Sequence, residues 1–160
     1  MFAVLGGNLS KLIKISTIPP NEAAGDVILV HGLGDDHRGT WQVANEPSLF
    51  WPSWLAVDVP DINIWSLDYH VKAAEWKSKT MPLPERATNT LAVLEASGIG
   101  KRPIVFVTHS FGGLLVKQLL RSAVDFHQPA WSAIATNTKA VVFISTPHGG
   151  SEKANWLKYT

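Results

Sequence analysis

The sequence predicts an α/β fold in which a mostly parallel sheet is flanked by helices, and three observations carry that prediction. Four apolar runs of strand length lie at about residues 27–31, 62–67, 103–108 and 139–145. Helical patterns lie between them, and strands alternating with helices mark crossover connections that cover a parallel sheet on both faces. The chain has 160 residues, 46% of them hydrophobic, which is one domain's worth of material with enough apolar surface for a real core.

Taken in order, residues 11–18 partly alternate apolar with polar side chains and predict an early strand that Pro19 and Pro20 terminate. Asp26-Val27-Ile28-Leu29-Val30-His31-Gly32-Leu33-Gly34 reads as a buried strand running into a glycine-rich loop. Residues 35–60 set Trp41, Trp51 and Trp54 among prolines and polar residues, a pattern of loop, short helix and the start of a crossover. The tryptophans are expected to pack in the core rather than to face a lipid or a partner. Residues 84–97 open with Pro84 and Glu85, place Ala87, Leu91 and Leu94 on one face and stop at Gly98, which predicts an amphipathic crossover helix. A second helix is expected over 111–123. The last strand, Ala140 to Ser145, is a continuous apolar run of the kind buried on both faces within a sheet. As a terminal strand it would leave an open edge, which folded proteins normally shorten, charge or cover. The expectation is therefore an N-terminal part of a longer protein, or a truncated reading frame, with a dimer covering the edge as the alternative.

The densest chemical signal is Val105-Phe106-Val107-Thr108-His109-Ser110-Phe111-Gly112-Gly113-Leu114-Leu115, an apolar strand entering a serine followed by glycines and then a helix. A serine hydroxyl becomes a useful nucleophile when it is held clear of the backbone beside a base and an oxyanion site, and a tight strand-to-helix turn does this. Gly112 and Gly113 let that turn close and let the helix approach the sheet. The G-x-S-x-G pattern of such elbows has Thr108 in place of its first glycine here. The loop after the earlier strand matches the other half of an oxyanion hole. In an α/β-hydrolase that loop gives one backbone N–H and the residue after the nucleophile gives the other. By position these donors are Leu33 and Phe111, with His31, Gly32, Gly34, His109, Gly112 and Gly113 as supporting loop and elbow residues.

Together the blocks resemble the lipase-like α/β-hydrolases of the serine-active-site-containing type associated with mitochondrial phospholipid remodelling, whose relatives also precede NACHT-type and repeat modules. The matching residues are His31 to Gly34, Thr40-Trp41, Phe50-Trp51-Pro52 with Trp54-Leu55, Asp58 and Pro60, then Thr108 to Lys117, and Ser145-Thr146-Pro147-His148-Gly149-Gly150-Ser151. The resemblance spans about residue 26 to residue 151. It implies an α/β-hydrolase-like sheet truncated after the strand that follows the elbow, with residues 1–24 as an N-terminal segment and 25–160 as an incomplete hydrolase domain. In that chain order the acid and then the histidine follow the serine on later strands. Only 50 residues follow Ser110, so the usual acid and base are expected beyond residue 160. Within the chain, Glu152 is the stand-in acid and His148 the stand-in base, each weighed against a solvated loop charge and a residue shaping the pocket rim. His109 is read as a structural histidine and His31 as a loop-fixing one.

Other chemistries find little footing. Asp35, Asp36 and His37 are adjacent but have no companion pair at ligand spacing, so no metal is expected. Gly98-Ile99-Gly100-Lys101 continues into Arg102 and Pro103 where a phosphate loop needs Ser or Thr. No cofactor is expected. Charges balance at 14 basic against 13 acidic residues, which gives no electrostatic case for nucleic acid or an anionic membrane. No apolar run approaches the roughly 20 residues of a membrane span. Absence of cysteine fits a reducing, cytoplasmic setting. The first 20 residues hold two lysines and neither acid nor arginine, which keeps a mitochondrial address open, as the resemblance keeps a membrane-peripheral one.

Two functional classes follow. One is a serine esterase or lipase that cleaves a small-molecule or lipid ester through an acyl-enzyme; the other is a non-catalytic hydrolase-like module that docks or signals within a larger protein. Under the first, the 160 residues alone are expected to be weakly active or inactive, because losing the base costs a factor on the order of a million in turnover.

Overall fold

Strand β2 (Gly25–Val30) forms because Val27 to Val30 are apolar and mostly β-branched, and it lies at the centre of the sheet, almost wholly buried. The computed structural model describes residues 10–44, 46–69 and 82–149. Within them, β2 joins β1 (Lys11–Lys14), β3 (Ile62–Asp68), β4 (Ile104–His109) and β5 (Thr138–Ile144) in one five-stranded sheet of order β1-β3-β2-β4-β5. Strand β1 runs antiparallel to β3 and every other pair is parallel. The N-terminal segment thus contributes a strand to the same sheet as the rest.

Alternate side chains of each strand feed two cores. Ile28, Val30, Trp65, Leu67 and Phe106 join one face with α2 (Leu83–Ala96), α3 (Phe111–Asp125) and α4 (Pro129–Asn137). Leu29 and Ile64 join the other, where Trp41, Phe50 and α1 (Trp51–Asp58) cover them. The expected helices thus form over nearly the predicted spans. Helix α4 was not predicted; it buries only Ile134 and has little apolar stripe to betray it. Trp41 is buried and meets half-buried Trp51 edge-on, as core packing requires, whereas Trp54 is 50% exposed and only its indole N–H is engaged, on Ser48 O.

Strand β5 departs from the doubly buried strand its composition suggests. Among the described residues it pairs with β4 alone, and Val142, Phe143 and Ile144 are 45%, 37% and 40% exposed. It is the open edge that was the other expectation for a terminal strand.

The topology also places the site. Strands β3 and β4 lie on opposite sides of β2, so the chain's winding reverses between β2 and β4. The crevice beyond the carboxyl ends of strands at such a switch point is where open α/β sheets bind ligands. Both the His31–Gly34 loop and Ser110 leave the sheet there.

Candidate active site

Ser110 caps α3 with φ 51° and ψ −121°, a backbone conformation that few non-glycine residues adopt. It is held there from both sides. Its N–H donates to Ile144 O on β5 at 2.8 Å, and its carbonyl accepts from the Gly113 N–H at 3.1 Å. The glycines make the approach sterically feasible. A Cβ on Gly112 would stand 2.4 Å from Val30 O and 2.5 Å from His31 O, and one on Gly113 would stand 2.1 Å from Thr146 Oγ1.

The loop after β2 lies directly against the serine. A Cβ on Gly32 would be 3.1 Å from Ser110 Cβ and 3.1 Å from His109 Nδ1. Gly34 turns the loop at φ 75°. Leu33 packs its side chain on the larger core, as does fully buried Phe111. Both residues predicted to donate through backbone are thus packing residues by their side chains.

His31 is fully buried and its two ring nitrogens are both engaged. Nδ1 lies 2.8 Å from Gly32 O and Nε2 lies 3.4 Å from the Tyr69 N. A carbonyl only accepts and an amide N–H only donates, so Nδ1 carries the proton and the ring is the neutral tautomer. Burial pushes its pKa down, opposed by the Gly32 carbonyl and by Asp68, Asp35 and Asp36. Asp68 Oδ1 is 4.0 Å from Nε2, and Asp68 Oδ2 is 3.7 Å from His37 Nδ1. The His31 bond also fixes a neighbour. In a planar trans peptide the C=O and N–H point opposite ways, so gripping Gly32 O sets the direction of the Leu33 N–H.

The other candidates sit elsewhere. His109 Nδ1 is shielded from solvent against the Gly32 loop, without a hydrogen-bond partner among the described residues. His148 lies outside β5, its Nδ1 2.6 Å from Lys117 Nζ and its ring edge-on to Phe143 at 4.8 Å. Glu152 lies outside the described residues. Among those residues no hydrogen bond joins Ser110 Oγ to an imidazole or a carboxylate, and no group of three His, Cys, Asp or Glu side chains could hold a metal ion. None of their helices is long and apolar enough to cross a membrane. Tyr69 and Lys117 were not singled out from the sequence. For Tyr69 a signal existed, since it immediately follows a strand at the ligand-binding end of the sheet.

Comparison with known proteins agrees with this fold. No family model matches the chain. Protein SERAC1 of Bos taurus is 35% identical over 150 residues, that of Danio rerio 35% over 152 and that of Homo sapiens 33% over 150. Each match takes in 82% of this chain and 23% of the relative, so the chain spans about a quarter of the curated relatives' length. A lipase-esterase related protein from Clostridium acetobutylicum superposes with a TM-score of 0.51 at 18% identity, covering 86% of this chain and 47% of the other. MenH from S. aureus gives 0.54 at 17% identity, covering 95% and 47%. The sheet and helices here therefore have the α/β-hydrolase fold and correspond to about half of each of those two chains.

Proposed function

This chain has an α/β-hydrolase fold and is similar in sequence to SERAC1, and on that premise we propose that it carries the nucleophile half of a serine esterase or lipase site. One observation supports this above the others: Ser110 stands at φ 51° on a strand-to-helix turn, with the Gly32 loop packed against its Cβ. Such strain persists where the surrounding structure enforces it, and exposing a nucleophile is a reason to enforce it.

In this reading Ser110 Oγ attacks the ester carbonyl and passes its proton to a histidine. The N–H groups of Leu33 and Phe111 stabilise the oxyanion, and the histidine returns the proton to the departing alcohol. Water then attacks the acyl-enzyme and gives a proton to the same histidine, which returns it to Ser110 Oγ as the acid leaves. The histidine and its carboxylate partner come from chain continuing past residue 160. For His148 to serve instead, its ring must leave Lys117; Glu152, outside the described residues, is the alternative acid. No metal or cofactor takes part. The substrate class is a small-molecule or lipid ester, and a downstream strand or a second copy covers the β5 edge.

A second reading rests on a specific observation, the lack of any base hydrogen-bonded to Ser110 among the described residues. It is a docking or signalling module that retains the hydrolase fold without its chemistry. Labelling with a fluorophosphonate separates the two. The chain continued into its encoded downstream sequence is expected to label at Ser110 and to lose the label in Ser110→Ala, with weak labelling of the 160 residues alone. Silence of both forms favours the docking module.

A further inference from the structure

We propose that Tyr69 is a positioning residue for the oxyanion hole, its single buried side chain holding the His31–Gly34 loop in register with the first turn of α3. The inference rests on reading Leu33 and Phe111 as the two backbone donors. Four contacts converge on Tyr69, which is 2% exposed. Its O–H donates to His31 O. Its ring stacks on the His31 ring at 4.3 Å and 21°, and lies 6.5 Å from the Phe111 ring at 27°. Its backbone N–H meets His31 Nε2 at 3.4 Å.

These contacts act on consecutive peptide units. The phenol orients the 31–32 peptide through its carbonyl. The same residue's N–H holds the His31 ring, whose Nδ1–H orients the 32–33 peptide and with it the Leu33 N–H. The Tyr69 ring also lies beside the ring of Phe111, the residue of the second donor. One side chain therefore spans both halves of the hole, which lie on loops far apart in sequence and need a fixed separation to meet one oxyanion. Burial pushes the phenol's pKa up, with Arg86 pulling the other way, so the O–H remains a donor across the working pH range.

The test is Tyr69→Phe, which keeps the ring and removes only the hydroxyl, read by amide hydrogen exchange. Exchange across 31–34 is expected to accelerate on the order of tenfold while Val105–Thr108 in β4 stays within about twofold. Unchanged exchange in the loop overturns the proposal, and so does equal acceleration of loop and strand, which is the mark of a merely stabilising hydroxyl. Should Tyr69→Phe fail to fold, Phe111→Leu removes the second ring contact and is expected to loosen the same loop; an unchanged loop there also overturns it. Fluorophosphonate labelling of the continued chain is expected to slow about tenfold in Tyr69→Phe, less than for loss of a donor outright. If neither protein labels while the exchange difference stands, the esterase reading fails and the role of Tyr69 stands. If both label alike and the loop exchange is unchanged, the reverse holds.

Discussion

Gly112 lies directly beneath His31, so close that a Cβ on the glycine would fall 2.5 Å from His31 O and 2.4 Å from Val30 O. The start of α3 and the end of β2 are thus in backbone contact, and the Ser110 turn and the His31–Gly34 loop share one van der Waals surface.

Gly112→Ala is therefore expected to cost about 1–3 kcal/mol, because the atoms it meets are backbone carbonyls that cannot rotate away. Gly113→Ala meets the side chain of Thr146 instead. Its penalty is expected to be largely relieved in Gly113→Ala/Thr146→Gly, whereas no single side-chain deletion relieves Gly112→Ala. Urea midpoints of the four proteins check this; equal rescue at both positions would contradict the contacts.

Strain at Ser110 has its own signature. Glycine adopts φ 51° without the penalty carried by other residues, and such strained positions cost about 1–3 kcal/mol. Ser110→Gly is expected to raise stability by up to about 1 kcal/mol after the extra entropy of an unfolded glycine is subtracted. Ser110→Ala keeps a Cβ and is expected to gain none of this. Both abolish labelling, so a higher thermal midpoint in the glycine variant alone is the outcome that identifies backbone strain.

What the sequence revealed and what it hid follow one physical division. Strands β2 to β5 and helices α2 and α3 were legible because each carries its own local pattern of apolar residues, and Ser110 and the His31–Gly34 loop because glycine punctuates strand ends where sharp turns are needed. The place of Tyr69 after a strand was legible but its role was not, since its contact with His31 joins residues 38 apart and exists only because β3 pairs beside β2. The Lys117–His148 contact joins residues 31 apart, from α3 to the segment after β5, which no local pattern encodes. Trp54 looked like a core residue because hydrophobicity alone does not say which face of α1 turns outward.

At the opposite end of the sheet, Asp26 has a fully buried side chain at the registers Asp26↔Asn63 and Asp26↔Ile104. Its Oδ1 accepts from Asn63 Nδ2 at 3.0 Å, Trp65 Nε1 at 2.9 Å and Arg102 Nη2 at 3.3 Å, and Oδ2 lies 3.2 Å from the same guanidinium. Asp26→Ala leaves Arg102 and two buried N–H donors without their acceptor and is expected to cost about 3–5 kcal/mol. Adding Arg102→Met is expected to recover part of that loss, because the uncompensated cation goes with it. A double-mutant cycle in urea measures the coupling; strict additivity would mean that the pair contributes nothing as a pair.

The neutral His31 ring makes stability depend on pH in a direction that can be worked out. Its folded-state pKa lies below the ordinary histidine value of about 6.5. Between the two values the unfolded chain binds a proton that the folded chain does not, so stability rises with pH through that window and levels off above it. Falling pH removes the contribution, because a protonated Nε2 would point a hydrogen at the Tyr69 N–H, with Asp68 Oδ1 at 4.0 Å compensating in part. Thermal midpoints measured from pH 8 to pH 5 are thus expected to fall. The fall should be smaller in His31→Gln, which offers the loop a neutral donor at all pH values and starts from lower stability. An identical pH profile in wild type and His31→Gln would assign the dependence to another group and leave His31 without the linkage.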